Sequence, residues 1–414
     1  MYNFDELIPR ENYDCIKWSY LDELCPDSGA AGASPGAAHS EPGRAIARNP
    51  RVLPMWVADM DLASPPEVVA AIQARAAHPV YGYAGKPDAY YESFIQWMQI
   101  RHQTPVKRDW IVFSPGIVPA IATAIRAFTS PGDGVAIMPP VYHPFRQMIE
   151  KNRRTVREAP LQIVDGRYEL DFDALDAAAA GSRLLVLCSP HNPVGRVWTR
   201  AELQGIAEIA ERRDLIVLAD EIHADLVFQS SRHVPSLLLS DALGKRLISA
   251  WAPSKTFNIA GLQVSYIVVP DQGLRKAFAD ETEATGMGTP NCLGVAAAEA
   301  AYRHGGPWLD ALLPYLEGNY RHLKDSLTKM APGLHVYPCE GTYLAWLDFR
   351  GVGLQGNVHR ALVDKAGVWL DAGSRFGSGG DGFARLNFGC PRTTIDEAIS
   401  RLSQAFPAAD TAGR

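Results

Sequence analysis

The sequence predicts an α/β fold. A mostly parallel sheet, sandwiched by helices, forms a large domain over residues 54–285, and residues 1–53 with 286–414 form a smaller α+β domain. Two observations carry this expectation. From about residue 54 to 271, short apolar runs alternate with stretches of helical period. The runs are continuous and rich in Val, Ile and Leu, as strands covered on both faces must be.

In chain order the runs fall at 110–113 (WIVF), 135–138 (VAIM), 184–187 (LLVL), 215–218 (LIVL) and 266–269 (YIVV). Between the third and fourth, the segment 200–210 (RAELQGIAEIA) repeats apolar residues three or four apart, and Thr199 is placed to cap it. After about residue 280 a long helical region runs to about Met330. A strand-like run at 341–347, a helix near 358–366 and a run at 384–388 follow, and the N-terminal segment is expected to pack on this smaller unit. Residues 27–50 are dominated by Ala, Gly, Ser and Pro without apolar period, which predicts a flexible surface loop.

Composition narrows the function classes. The chain has 414 residues, a net charge of -6 and 47% hydrophobic residues, enough for a large core. Mild acidity argues against nucleic acid as a partner, because phosphate binding needs concentrated Lys and Arg. The pair Arg153-Arg154 reads as a solvated face. The first residues show no basic start followed by an apolar run, and no apolar stretch approaches the roughly 20 residues of a membrane helix. The six cysteines are scattered without metal-ligand spacing, so no metal is expected and a reducing cytoplasm is the default.

Candidate chemistry sits where the runs end. Asp220 closes the run at 215–219, and Ser254-Lys255 follows the run at 246–251 (RLISAW). In open α/β sheets, ligands bind beyond such strand ends. A desolvated lysine there can form a Schiff base with a carbonyl. Ser114-Pro115-Gly116-Ile117-Val118 opens a helix expected at 119–128, whose first N–H groups form an anion site. Asn192-Pro193-x-Gly195 alone reads as a turn. The glycine-rich stretch at 373–380 lacks the strand-then-helix context of a phosphate loop and reads as a loop near the site.

Taken in order, seven motifs resemble the fold type I pyridoxal 5′-phosphate (PLP) enzymes of the class I/II aminotransferase group, and more closely their cystathionine β-lyase (carbon–sulfur lyase) branch. They are 54–61 (PMWVADMD), 81–83 (YGY), 139–145 (PPVYHPF), 191–196 (HNPVGR), 220–226 (DEIHADL), 254–262 (SKTFNIAGL) and 384–392 (ARLNFGCPR). The resemblance implies a mixed, seven-stranded-type sheet and PLP as cofactor. It implies that Lys255 carries the cofactor as a Schiff base and then takes the Cα proton. Asp220 would pair with the pyridinium nitrogen, Asn192 with the ring 3′-oxygen, and Tyr142 would stack on the ring. Gly116, Ile117, Val118 and Ser254 would hold the phosphate, with Tyr83 reaching it from the neighbouring subunit of a homodimer. Arg385 would clamp the substrate carboxylate, while Trp56, Asp59 and Asp61 sit in a motif that either lines the substrate entrance or forms a structural turn with a core Trp.

Two positions depart from the usual transaminase pattern. His223 stands three residues after Asp220, where many aminotransferases carry Tyr, and Gln263 stands eight residues after Lys255, where many carry Arg. Both point to β-elimination on an L-cysteine S-conjugate such as L-cystathionine, an amino-acid substrate with a β-thio leaving group. An aminotransferase acting between an amino acid and a 2-oxo acid is the alternative. A regulatory protein acting through a surface partner is the second.

Overall fold

The computed structural model describes residues 2–11, 13–19, 52–239, 243–352 and 358–407. The loop expected at 27–50 lies outside the described residues. The centre is a seven-stranded sheet of β1 (Ile111–Ser114), β2 (Gly134–Ile137), β3 (Thr155–Glu158), β4 (Ser182–Cys188), β5 (Ile216–Asp220), β6 (Leu247–Trp251) and β7 (Ser265–Val268), in the order β1-β7-β6-β5-β4-β2-β3. Strand β7 runs antiparallel to both its neighbours, and every other pair is parallel, so the sheet is mixed as expected.

The continuous apolar runs are explained by helices on both faces. Leu184, Val186 and Cys188 of β4 enter one apolar cluster, while Leu185 and Leu187 enter the other, as the two-residue period of a strand dictates. The edge strand β3, with sequence TVRE, has no residue classed as buried. Its single apolar residue, Val156, among polar ones is what an edge permits, and this hides the strand from a search for apolar runs. Arg154, just before it, is not a solvated face. Its guanidinium bonds the Thr129 hydroxyl at 2.8 Å and the Asn152 carbonyl at 2.6 Å, locking two turns together.

Helix α1 (Ile117–Phe128) begins two residues earlier than expected, at the residue after Gly116. Helix α2 (Arg200–Arg212) starts as its sequence suggests. Thr199 Oγ1 accepts from the Glu202 N–H at 3.2 Å, and the Glu202 carboxylate accepts from the Thr199 N–H at 2.7 Å. This reciprocal pair satisfies two of the N–H groups that a helix start leaves unpaired.

The long helical region resolves into three helices: Gln272–Ala284, Cys292–His304 and α3 (Gly306–Met330). Asn291 caps the second, its Oδ1 accepting from the Gly294 N–H at 2.6 Å. A second, antiparallel sheet follows, made of β8 (His335–Val336), β9 (Leu344–Asp348), β10 (Asp371–Ala372) and β11 (Phe383–Asn387) in the order β8-β9-β11-β10. The run expected from 341 therefore becomes strand only at Leu344. The N-terminal segment packs on α3: Phe4 meets Trp308 and Tyr315, and the Tyr315 hydroxyl donates to Asp5 Oδ1 at 2.6 Å.

The C-terminal ends of β1, β2, β4, β5 and β6 open along one edge of the large sheet, where every sequence-selected motif residue of those strands emerges. The capping pair can be tested by itself. Thr199→Ala is expected to lower unfolding stability by about 1 kcal/mol in urea titration, with the strand-end site unaffected.

Candidate active site

A cavity of about 310 Å³ lies at those strand ends. It is lined by Gly116, Ile117, Val118, Tyr142, Asn192, Asp220, His223, Ser254 and Lys255, with Ala58 and Gln263. From Gly116 to Lys255 these residues come together because each lies at or after the end of a strand that points the same way, whereas Ala58 is supplied by the segment 54–61. At one end Gly116 and the first turn of α1 present N–H groups that have no carbonyl one turn earlier to bond, and Pro119 contributes none. Ser254 and Gln263 also line the cavity and add neutral donors.

Asp220 ends β5 and is almost wholly buried. Burial pushes its carboxyl up to about 7, against the pull of the Ile222 N–H (3.1 Å) and of Lys255. Lys255 follows β6 in the short helix Pro253–Thr256 and is half-buried. Burial brings its ammonium down to about 8, with Asp59 and Asp220 opposing the shift and Arg385 adding to it. Its Nζ donates to the Ala58 carbonyl at 2.5 Å. His223 is buried, and burial, with Lys255 and Arg385 nearby, lowers its imidazolium to about 3. The ring is therefore neutral, and its Nδ1 has no partner among the described residues. Tyr142 is half-buried, and burial raises its hydroxyl above the usual range.

The run 220–226 divides its acids between two jobs. Asp220 faces the cavity, whereas Glu221 turns behind it to accept from the Ser236 N–H (2.9 Å) and to meet His233 Nε2 (2.9 Å) and the Ser249 hydroxyl. Asp225 likewise gathers His102 Nε2 (2.7 Å), Trp97 Nε1 (3.0 Å) and the Thr256 hydroxyl (2.9 Å), the residue beside Lys255. These buried acids are saturated with donors, as burial requires. Arg196 of the run 191–196 is also structural: it joins Glu202 of the α2 cap to Glu340 and lies over Trp198.

Arg385 reaches the site from β11. One guanidinium nitrogen donates to Asn192 Oδ1 at 3.0 Å, and another donates to the Trp56 carbonyl and to Asp371 Oδ2, each at 2.8 Å. Its Nε is buried and unpartnered among the described residues, and its guanidinium covers the Phe376 ring at 5.0 Å. Burial lowers its affinity for the proton, which Asp371 opposes. Asp371 was not singled out by its sequence. A buried arginine needs a carboxylate, which is the signal that could have found it. The stretch at 373–380 begins with a turn, Gly373–Phe376, that supplies this ring to Arg385.

The segment 54–61 is pinned from two sides. Asn258, at φ +57°, accepts from the Met60 N–H and donates to the Met60 and Leu62 carbonyls, all at 2.9 Å. Asn387 donates to the Val57 carbonyl at 2.6 Å and the Asp59 carbonyl at 2.7 Å. Tyr343 donates to the Ala58 carbonyl at 2.8 Å. The sequence suggests no role for any of these three, although Asn258 and Asn387 lie in the motifs at 254–262 and 384–392. Trp56 stacks on Trp369 with centroids 5.3 Å apart. Asp59 and Asp61 are both bridged by Arg10 at 2.5 Å, and Asp61 also takes the buried Lys17 at 2.5 Å. Neither Trp56 nor Asp59 is among the cavity-lining residues. Tyr83 is not brought to the cavity of its own chain and is fully exposed, beside exposed Val80 and Tyr81.

Comparison with known proteins places this geometry. A family model described as aminotransferase class I and II matches residues 51–402. The chain is similar to cystathionine β-lyase PatB of Bacillus subtilis (strain 168), 40% identical over 407 residues, covering 98% of this chain and all of that one. It is 32% identical to protein MalY of Escherichia coli (strain K12), covering 99% and 100%. In three dimensions it resembles cystalysin from Treponema denticola, whose structure contains pyridoxal 5′-phosphate, with a TM-score of 0.88, 36% identity and 98% of each chain covered.

The Arg385 pairing predicts unequal costs. Asp371→Ala strands a buried guanidinium and is expected to cost about 3–5 kcal/mol in urea unfolding. Arg375→Ala removes only the exposed partner of the same carboxylate and is expected to cost about 1 kcal/mol or less.

Proposed function

Because the chain belongs to the class I and II aminotransferase family, we propose that it is a PLP-dependent carbon–sulfur β-lyase. Its substrates are L-cysteine S-conjugates such as L-cystathionine, which with one water become a thiol (here homocysteine), pyruvate and ammonia. The observation that carries this reading is the set Lys255, Asp220 and Asn192 converging on one cavity with His223 and Gln263, in a chain with full-length likeness to a lyase.

The cavity fits the cofactor by its donor chemistry. A buried acid pushed up to about 7 calls for a cationic partner, which a protonated ring nitrogen provides. The unpartnered N–H groups at the start of α1 suit a phosphate. Lys255 would carry the cofactor on Nζ, and Asp220 would hold the ring nitrogen. Asn192, Tyr142 and His223 would sit about the ring, and Gly116, Ile117, Val118 and Ser254 would take the phosphate. Bound there, the cofactor supplies an electron sink for the charge left at the substrate Cα when its proton is removed.

The residues of the chain do the rest. Arg385, already aimed by Asp371 and Asn192, binds the substrate carboxylate and orients the Cα–H bond toward Lys255. The Lys255 amine takes that proton at Nζ. The electron pair then forms the Cα–Cβ double bond as the Cβ–S bond breaks, and the thiolate leaves with a proton. Trp56 and Asp59 flank the approach, and the segment 54–61 excludes water from the amine.

The same reading takes residues 54–285 as the cofactor domain and residues 1–53 with 286–414 as the smaller one. It also takes the chain as a cytoplasmic homodimer whose exposed Tyr83 completes the phosphate site of its partner. The exposed run Val80, Tyr81 and Tyr83 supports a second copy of the chain, and the free thiols at Cys15, Cys188, Cys292, Cys339 and Cys390 agree with a reducing compartment. Among the described residues, no helix is long and apolar enough to cross a membrane.

Incubation with L-cystathionine is expected to release pyruvate and free thiol with no added 2-oxo acid; strict dependence on a 2-oxo acid would mark an aminotransferase instead. Lys255→Ala is expected to lose the yellow absorbance of the bound cofactor and to slow elimination by about 10²–10⁴-fold or more. The neutral amine is the reactive form, so cofactor uptake by the apoprotein should accelerate as pH rises and level off above about 8. An uptake rate still climbing well past pH 9, as for an ordinary lysine of pKa roughly 10.4, would contradict it.

A further inference from the structure

Tyr343 stands at the entry to β9, after Thr342 at φ +72°, and only 1% of it is exposed. Its hydroxyl and Lys255 Nζ donate to one and the same oxygen, the Ala58 carbonyl, at 2.8 and 2.5 Å. Its ring meets that of His223 edge-on, with centroids 6.0 Å apart. The small sheet therefore touches the reactive amine through a single shared acceptor. That acceptor lies in a segment whose neighbouring carbonyls are held by Asn258 and Asn387.

We propose that Tyr343 is a positioning residue for the Lys255 amine: by occupying one lone pair of the Ala58 carbonyl, it fixes where the free amine rests and weakens that oxygen's hold on the ammonium form. A carbonyl oxygen has two lone pairs, and an ammonium is held more firmly by an oxygen that accepts from it alone. The other charged or titratable groups facing Lys255 come from separate elements: Asp59 from the segment 54–61, Asp220 and His223 from the end of β5 and the turn after it, and Arg385 from β11. Asp59, Asp220 and Arg385 are each held by contacts of their own, and Tyr343 bonds none of them. Removing the Tyr343 hydroxyl thus changes the shared acceptor while the surrounding charges stay in place. Lys255 is then freer to remain protonated, and less of the amine is ready to take a proton near neutral pH. The inference rests on the reading of Lys255 as the cofactor-bearing base.

The test is Tyr343→Phe, which keeps the ring and its contact with His223. Cofactor uptake by the apoprotein, followed by absorbance against pH, should show its midpoint raised by about 0.5–1 pH unit over the wild type. Tyr343→Leu removes the same hydroxyl and should move the midpoint the same way. In the loaded enzyme, Cα-hydrogen exchange of L-alanine in heavy water isolates the proton transfer, since alanine has no β leaving group. Exchange should slow by about three- to tenfold near pH 7 and recover at high pH. An unchanged midpoint in both variants, or a slowing that persists at high pH, overturns the proposal. A wild-type chain that takes up no cofactor overturns the Lys255 reading and this inference with it, whereas normal wild-type uptake with unshifted variants overturns the inference alone.

Discussion

Two asparagine side chains, Asn387 buried and Asn258 half-buried, hold the site together. Asn258 grips the segment 54–61 from the loop that carries Lys255, and Asn387 grips it from β11, the strand that carries Arg385. After the short strand Leu53–Pro54 the segment has no regular structure, so its peptide groups would otherwise be stranded in an apolar interior. Asparagine suits the task because one amide offers both donor and acceptor, and because it tolerates the left-handed backbone that Asn258 adopts. Once the segment is fixed, its own carbonyls become the furniture of the site: Ala58 receives Lys255 and Tyr343, and Trp56 receives Arg385.

The second constraint is how burial treats charge. Several acids lie about the site, and the fold treats them differently: Asp59, which faces Lys255, is paired with Arg10. Glu221 and Asp225 are surrounded by donors and serve structure. Asp371 is spent on two arginines. Asp220 alone faces the cavity with a single backbone N–H, and its carboxyl is pushed up accordingly. The same burial lowers Lys255 and keeps His223 neutral. Shifted groups facing one cavity mark a functional site, and they suit the roles proposed for Asp220 and Lys255.

The legibility of the chain in sequence was uneven, for physical reasons. The buried strands announced themselves because both faces of the sheet are covered, while β3 at the edge could not. The capped start of α2 was readable because its two bonds span only three residues. Asp220, Asn192, Lys255 and the start of α1 were legible because each follows its own strand, and parallel strands deliver their ends to one place. Asp371, Asn258, Asn387 and Tyr343 were not, since each acts through a partner far away in sequence: 14 residues for Asp371 with Arg385, 198 for Asn258 with Met60 and 285 for Tyr343 with Ala58.

By itself the sequence determined the α/β class, the strand-end positions of the reactive groups and, through ordered motifs, the family with its cofactor. Those properties are local: period, caps and residue type at a given offset. Tertiary structure alone decided which acid faces the cavity, which arginine is paired and to what, and which carbonyl receives the lysine. Those outcomes depend on burial and on a single polar atom meeting its partner across two sheets, and neither is encoded by spacing along the chain.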